Sequence, residues 1–224
     1  MGMIINPYRF GVALPTDIAS LIIWLDASDR GSTTDQWDDK SGLGNHFTAT
    51  SGQFPTFSGG EAIFDGVTSR VYGPNLSALT AGEVFLRVAI DVDPSASVET
   101  SGLWGFGSNL TGGRSDHYPY TSGIIYSGWG RDSRVTVGDP TPALTSYRTV
   151  NIWTASGDWN YNLDGTSLYS TATNTVGFRT STVLGYSTSD AGQYLDGNIK
   201  AMCVFNAKLS AGDRSDMEAY MAAL

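Results

Sequence analysis

The segment from Glu83 to Val92, E-V-F-L-R-V-A-I-D-V, constrains the fold more than any other part of the chain. Aliphatic side chains occupy every second position and therefore share one face of an extended strand: Val84, Leu86, Val88, Ile90 and Val92. The opposite face carries a mixture of apolar and charged side chains: Phe85, Arg87, Ala89 and Asp91. This alternation predicts a strand with one face on a core and the other face only half covered.

Further short strands are predicted along the chain, each bounded by Gly, Asp or Ser. They cover residues 22–25, 62–64, 103–106 and 198–206. In addition, Trp159, Tyr161 and Leu163 alternate up to Asp164-Gly165, and T-S-L-Y-S follows. Because Asp-Gly suits a tight turn, this segment predicts a hairpin.

One short helix is predicted at the end of the sequence, where Ser210 and Asp213 have the spacing of a capping box. Its apolar stripe consists of Met217, Tyr220, Met221 and Leu224. About a dozen short strands, 27 glycines and one terminal helix predict an all-β fold. The expected architecture is a two-sheet antiparallel β-sandwich, with a jelly roll favoured over an immunoglobulin-like arrangement.

The chain of 224 residues fits one domain, predicted over residues 21–224, preceded by an extended N-terminal arm over residues 1–20. The candidate docking residues of the arm are Ile4, Ile5, Pro7, Tyr8 and Phe10. They are too few to form a core of their own, so the arm must dock on its own domain or on another chain.

Charge and composition exclude several classes of function. The net charge is −9 and the 13 basic residues form no run, which argues against nucleic acid as a partner. Cys203 lies in an alternating apolar stretch, so we expect a buried structural thiol. The sequence has neither a signal-peptide pattern nor an apolar run near the roughly 18 residues that span a bilayer. We therefore expect no membrane partner and a protein that folds in the compartment where it is made.

Four segments carry a family resemblance through their order and spacing. They are L-I-I-W-L-D-A-S-D (21–29), W-D-D-K-S-G-L-G-N-H (37–46), A-I-F-D-G (62–66) and the strand and helix of residues 194–221. Together they resemble the concanavalin A-like, laminin G-type jelly-roll domains. H-Y-P-Y-T-S-G-I-I-Y-S-G-W-G-R (117–131) and residues 163–178 resemble the version of this domain in tailed-bacteriophage virion proteins. M-I-I-N-P-Y-R-F (3–10) resembles the start of phage structural proteins.

The resemblance implies an antiparallel sandwich that often binds carbohydrate, sometimes with calcium at its rim, and sometimes hydrolyses glycans. Hydrolytic members of the glucanase branch place E-x-D-x-x-E on a strand, and this chain has only four Glu and no such motif. Asp26 and Asp29 follow a strand, but acids at an odd spacing point to opposite faces and make a poor acid/base pair. We predict that the protein is not an enzyme, with a glycoside hydrolase as the alternative.

No cofactor is predicted, and calcium is the one ion left open. Asp26 and Asp29 are the calcium candidates, and Asp38, Asp39 and Asp65 would have to converge on the same edge to complete a site. The more ordinary interpretation is that these Asp side chains bond backbone N–H groups in turns and caps. His46 and His117 lack the spacing of zinc ligands.

The densest group of candidate binding residues lies in the phage-like stretch. These candidate glycan-binding residues are His117, Tyr118, Tyr120, Tyr126, Trp129, Arg131 and Asp132. Aromatic faces with polar neighbours suit a sugar, which offers an apolar face and a rim of hydroxyls. The same stretch is also typical of a turn, a strand and a second turn, which would make it structural. The burial of Tyr118 and Trp129 decides between the binding role and the structural role. Five further tryptophans are expected mostly in the core: Trp24, Trp37, Trp104, Trp153 and Trp159.

The sequence as a whole predicts a bacteriophage virion structural protein: a capsid-decorating, head-fibre or tail-associated subunit made in the host cytoplasm and displayed on the virion surface. The arm would anchor it and the sandwich would face outward, as a lectin-like domain for host-surface glycans. The predicted partners are other virion proteins, further copies of this chain and host cell-surface polysaccharide. A glycan hydrolase and a purely architectural subunit are the alternatives.

Overall fold

A computed structural model describes residues 13–93, 101–108, 116–118, 120, 123–187 and 193–224. Within these residues the chain forms sixteen β-strands and one α-helix. In chain order the strands are β1 (Leu21–Asp26), β2 (Gln36–Trp37), β3 (Phe47–Thr48), β4 (Thr56–Ser58), β5 (Glu61–Asp65), β6 (Val71–Tyr72), β7 (Gly82–Ile90), β8 (Gly102–Gly107), β9 (Asp116–His117), β10 (Ile125–Ser127), β11 (Val135–Gly138), β12 (Arg148–Ala155), β13 (Asp158–Leu163), β14 (Thr166–Thr171), β15 (Phe178–Leu184) and β16 (Asp196–Phe205). The helix is α1 (Ala211–Ala222).

The strands form two antiparallel sheets. The first has the order β14-β13-β12-β7-β16-β5-β4, and the second has the order β11-β10-β9-β8-β15-β6-β3-β2. Strand β1 also joins the first sheet, because the long β16 pairs with β5 up to Ile199 and with β1 from Ala201 onward. The predicted two-sheet antiparallel sandwich with a C-terminal helix is confirmed.

The core lies between the two sheets, and the alternation of β7 places its aliphatic face there. Val84, Leu86, Val88 and Ile90 are all buried in this core. The inclusion of Val92 on the same face was wrong, since its side chain is 64% exposed. The pairing of β7 with β16 ends at Ile90, so Val92 lies beyond the sheet.

Helix α1 covers part of the outer face of the first sheet. Its stripe packs in one cluster with side chains of β7 and β16: Phe85, Cys203, Phe205, Met217, Tyr220 and Met221. Phe85 is buried beneath the helix and Ala89 is buried as well, whereas Arg87 is partly exposed and Asp91 is exposed, so the predicted half-covered outer face is confirmed. The buried thiol is confirmed, and no helix in the described ranges is long and apolar enough to cross a membrane.

Local sequence signals explain where α1 and the predicted hairpin begin and end. The Ser210 hydroxyl accepts a hydrogen bond from the Asp213 backbone N–H at 3.1 Å and donates one to the Asp213 carboxylate at 2.8 Å, which caps α1. Strands β13 and β14 pair across Asp164 and Gly165, whose φ angles are 46° and 74°. Positive φ at both positions is the geometry that Asp-Gly turns favour. Both predictions are confirmed.

The predicted N-terminal arm is described only from residue 13. Leu14 and Ile18 pack on the cluster beneath α1, and Pro15–Asp17 form a short 3-10 helix between them. The arm residues proposed to dock on a partner lie outside the described ranges: Ile4, Ile5, Pro7, Tyr8 and Phe10. Their role stays a prediction.

Candidate functional site

The aromatic stretch of residues 117–131 contributes to the second sheet, and two of its rings, those of Tyr118 and Trp129, point into the core. Tyr118 is 1% exposed, and its hydroxyl accepts a hydrogen bond from the Leu144 backbone N–H at 3.2 Å. Trp129 is 0% exposed and packs edge-on against Phe178, with the ring centroids 5.1 Å apart. Neither ring offers a face to a sugar, so their inclusion among the exposed binding residues is corrected.

The other five predicted binding residues divide into buried and partly exposed side chains. His117 and Arg131 are buried, and the Arg131 guanidinium stacks 5.1 Å from the Trp159 ring. Asp132 is partly exposed. Tyr120 and Tyr126 are also partly exposed and meet edge to face, with their ring centroids 4.7 Å apart. The structure therefore reduces the predicted surface to a small patch around these two tyrosines.

Asp116 and Ser127 form a buried polar pair next to this stretch. The Ser127 hydroxyl donates a hydrogen bond to the Asp116 carboxyl, and both residues are at most 2% exposed. Burial raises the pKa of Asp116 to about 7, although the hydrogen bond from Ser127 acts in the opposite direction. The pair joins β9 to β10 and lies out of reach of a ligand on the surface.

The calcium candidates form turns and ion pairs rather than a shared site. The Asp26 carboxylate accepts hydrogen bonds from the Ser28 N–H at 2.9 Å and the Ser28 hydroxyl at 2.6 Å. The Asp29 carboxylate lies 3.0 Å from the Lys40 ammonium, and this contact lowers the pKa of Asp29. In the part of the chain that the structure describes, no three His, Cys, Asp or Glu side chains converge as metal ligands.

Two further acids confirm the turn interpretation. The Asp39 carboxylate accepts hydrogen bonds from the backbone N–H groups of Trp24, Ser41 and Asn45, each at 2.9 Å. Burial alone would raise the pKa of Asp65, but hydrogen bonds from Thr68 and neighbouring residues hold it well below its usual value. Backbone N–H groups therefore already bind the carboxylates of Asp39 and Asp65.

A different group of polar residues lies on the outer face of the first sheet, beside α1. Three asparagines at alternate positions of β12 and β13 are nearly buried: Asn151, Asn160 and Asn162. Asn162 donates its amide N–H to the Asn151 side-chain oxygen at 2.8 Å, and Asn151 donates to the Glu83 carboxylate at 2.8 Å. Linked amides thus form the floor of a cleft. Their position in strands is unusual, because asparagine is depleted in strands.

Charged and aromatic side chains form the walls of this cleft. Arg214 of α1 donates two hydrogen bonds to the buried Glu83 carboxylate, at 2.7 and 2.9 Å. The Arg214 guanidinium also stacks 4.2 Å from the centre of the Trp153 ring. Trp153 is partly exposed, so its expected place in the core is corrected, whereas the other four tryptophans predicted there are buried.

The cleft has a volume of about 480 Å³. We name it the asparagine cleft, and its main lining residues are Asn151, Trp153, Asn162, Arg214, Ser215 and Glu218. Burial is the largest cause that raises the pKa of Glu218, and together with the charges of Asp164 and Glu83 it brings this pKa to about 7 against the opposing charge of Arg214. The Glu218 Oε1 and Asn160 Oδ1 atoms are buried and bond to no described residue.

The asparagine cleft offers the chemistry that a polyhydroxylated ligand requires. Amide groups both donate and accept hydrogen bonds, a partly exposed indole offers an apolar surface, and Arg214 and Glu218 add charged groups at the edge. None of these residues was among the predicted binding residues. The signal that could have found them is D-W-N-Y-N-L (158–163), where asparagine alternates with the core residues.

Comparisons with known proteins identify the fold. No family model matches the chain, and no curated protein matches it. Among solved structures, it is similar to a Trypanosoma rangeli sialidase, with a TM-score of 0.67 at 15% identity over 91% of this chain and 33% of that chain. It is also similar to a botulinum neurotoxin type C structure, with a TM-score of 0.67 at 12% identity over 92% of this chain and 52% of that chain.

A third similar structure is the ligand-binding domain of botulinum neurotoxin serotype D in complex with N-acetylneuraminic acid. Its TM-score is 0.63 at 14% identity, over 91% of this chain and 50% of that chain. The likeness is one of fold. The chain spans about a third of the sialidase chain and about half of each neurotoxin chain, and it shares with them a β-sandwich fold.

Proposed function

We propose that this chain is a carbohydrate-binding β-sandwich and that the asparagine cleft is its binding site. The observation that carries the proposal is the floor of nearly buried amides beside the partly exposed Trp153. A sugar hydroxyl can donate to one amide and accept from the next, while the apolar face of the ring packs on the indole. The serotype D neurotoxin structure, which contains N-acetylneuraminic acid on a similar fold, supports a saccharide as the ligand.

An unpaired polar atom in the cleft supports a ligand rather than a purely structural network. A buried donor or acceptor without a partner costs about 1–3 kcal/mol of stability. Glu218 Oε1 is such an atom among the described residues, and Glu218 lines the cleft. A hydroxyl-rich ligand supplies the donor that this oxygen lacks, so binding recovers part of that cost.

The binding experiment compares the cleft with the predicted aromatic patch. Purified protein is screened against a panel of bacterial surface oligosaccharides, and the best ligand is titrated into Trp153→Ala, Asn162→Ala and Tyr126→Ala by calorimetry. We expect the first two variants to weaken binding at least tenfold and Tyr126→Ala to leave it unchanged. The opposite pattern would assign binding to the aromatic stretch and contradict the proposed site.

We place this domain on the surface of a tailed-phage particle, as a capsid-decorating, head-fibre or tail-associated subunit. The support is the resemblance of residues 3–10 and 117–131 to phage virion proteins. Other virion proteins and further copies of the chain are then its partners, and host cell-surface polysaccharide is its ligand. Repetition on a particle raises the apparent affinity of a weak sugar site by about 10² to 10⁴.

The location is tested by mass spectrometry of purified phage particles and by deletion of residues 1–12. We expect the chain in the particles, and we expect the deletion to reduce its incorporation. Absence from the particles would refute the assignment to a virion, and full incorporation without residues 1–12 would refute anchoring by the arm. A purely architectural subunit predicts instead that Trp153→Ala leaves the binding of particles to host cells unchanged.

Glycan hydrolysis is the second candidate function, and Glu218 is the observation that favours it. With a pKa raised to about 7 by burial, Glu218 keeps its proton close to neutral pH, as a general acid requires. Asp164 is near enough to contribute to this shift, and Arg148 pairs with its carboxylate. If hydrolysis occurs, Glu218→Gln abolishes the release of reducing ends from host polysaccharide while ligand binding persists. No release by the unmodified protein refutes this candidate.

A further inference from the structure

A second group of aromatic side chains surrounds Arg70 in the second sheet. Three partly exposed tyrosines lie around its guanidinium: Tyr186 at 4.9 Å, Tyr194 at 5.5 Å and Tyr72 at 5.8 Å, measured to the ring centres. Tyr186 and Tyr194 pair as an isolated antiparallel bridge, and their ring centroids are 4.8 Å apart. We name these four residues the Arg70 cluster.

The hydrogen bonds of Arg70 fix its position and go to uncharged groups, and no carboxylate among the described residues pairs with its charge. Its Nη1 donates to the Tyr194 hydroxyl at 3.0 Å, and its Nε donates to the Gln53 side-chain oxygen at 3.2 Å. Both acceptors are neutral. Over the ranges that the structure describes, no carboxylate lies within ion-pair distance of Arg70, and its Nη2 bonds to no described residue. Arg148 and Arg214, by contrast, each pair with a carboxylate.

This combination of groups selects a particular class of ligand. A guanidinium presents N–H donors in a planar fork that matches a carboxylate, and it does so best where no protein carboxylate competes. Tyrosine rings pack against the apolar face of a sugar, and their hydroxyls bond to its polar rim. A ligand that satisfies both parts is a pyranose ring that carries a carboxylate.

We propose that the Arg70 cluster is a second saccharide site, selective for hexuronic acid residues. The inference rests on the proposed carbohydrate-binding function but concerns a different surface. The asparagine cleft lies on the outer face of the first sheet, whereas the Arg70 cluster is built around β6 of the second sheet. The two sites are therefore tested independently, with separate ligands and separate variants.

The experiment is a titration followed by NMR chemical-shift changes, with methyl β-D-glucuronide and methyl β-D-glucoside as the two probes. They differ in the carboxylate, so we expect the glucuronide to bind at least tenfold more tightly. Arg70→Gln should remove this preference, and Arg70→Lys, which retains the charge without the fork, should reduce it. Higher salt should weaken the binding of the glucuronide only.

Arg30 provides a matched control, because its guanidinium also stacks on two partly exposed aromatic rings, Phe54 and Phe57, at 5.6 and 5.4 Å. Arg30→Gln removes the same charge and should leave the glucuronide preference intact. Thermal unfolding of each variant shows whether the fold is retained. If Arg70→Gln does not fold, Tyr186→Ala tests the same site and should weaken glucuronide binding at least fivefold.

Three outcomes overturn the inference: equal binding of the two probes, equal losses in Arg70→Gln and Arg30→Gln, or a glucuronide preference that Trp153→Ala abolishes and Arg70→Gln does not. The last of these leaves the proposed function intact and refutes only the second site. Conversely, glucuronide binding that depends on Arg70, together with no ligand for the asparagine cleft, supports the Arg70 cluster and refutes the proposed cleft.

Discussion

Asp116 shows how one buried carboxyl can link the stability of this fold to pH. Its ordinary pKa is 3.8, and burial raises the folded-state value to about 7. Between these two values the folded protein binds a proton that the unfolded chain has released. The contribution of Asp116 to the free energy of unfolding is therefore full below about pH 4 and is lost as the pH rises through 7.

We predict that Asp116→Asn reduces this pH dependence. A shift from 3.8 to about 7 corresponds to at most about 4 kcal/mol between pH 4 and pH 8. Relative to the unmodified protein, the variant should therefore gain stability as the pH rises over that interval. Urea unfolding at pH 4.5, 6 and 8 gives the free energies to compare.

Glu218→Gln is the control for the prediction on Asp116. The pKa of Glu218 is also raised to about 7, so part of the slope should remain in Asp116→Asn and decrease further in the double variant. A parallel pH profile for Asp116→Asn and the unmodified protein would contradict a raised pKa at this position.

The aromatic stretch illustrates what residue types alone cannot predict. The abundance of Tyr and Trp in residues 117–131 correctly indicates that rings are concentrated there, but not which rings point inward. Strands β9 and β10 are only two and three residues long, so the alternation is too short to identify the buried face. Contacts with distant residues decide it, such as that of Trp129 with Phe178.

At the scale of elements, the longer strands and the hairpin follow directly from the sequence. The alternation in β7 and β13 extends over several residues, and it separates core side chains from the opposite face. The tertiary packing, and not the strand's own sequence, determines which residues cover that opposite face. Phe85 of β7 lies under α1, whereas Asn162 of β13 lines the asparagine cleft.

We predict opposite effects for two glycine substitutions in these elements. Gly165→Ala places a side chain at a φ of 74°, which costs about 1 kcal/mol in the free energy of unfolding. Gly212→Ala lies in the first turn of α1, where the nearest atom to an added Cβ is 3.7 Å away, and it should add about 0.5–1 kcal/mol. Urea unfolding measures both. Destabilisation by Gly212→Ala as well would contradict the gain expected from helix propensity at this position.

At the scale of the whole molecule, the asparagine cleft depends on segments that are far apart in sequence. Asn151, Asn162 and Arg214 come from β12, β13 and α1, and Glu83 of β7 links them. Each segment has a sufficient local explanation as a strand or a capped helix. No spacing rule connects a strand asparagine to a helix arginine 63 positions later, so only the packing of α1 on the first sheet reveals the cleft.

The packing of α1 on this sheet can be followed through Cys203, which is the only cysteine of the chain and lies in the cluster beneath the helix. Burial raises the pKa of the Cys203 thiol well above its usual value, so both burial and protonation protect it from thiol reagents. Labelling therefore requires that α1 leave the sheet.

Met217→Ala removes a buried side chain from the interface of α1, and we expect it to lower the free energy of unfolding by about 2–5 kcal/mol and to accelerate labelling of Cys203 at least tenfold. Asp216→Ala changes an exposed neighbour on the same helix and should alter neither quantity. If helix and sheet unfold as one unit, labelling rates and urea stability change together across variants, because both report the same opening. Fast labelling of Met217→Ala with unchanged urea stability would instead mean that α1 detaches alone. The asparagine cleft would then lose the wall that carries Arg214 and Glu218, while both sheets remain folded.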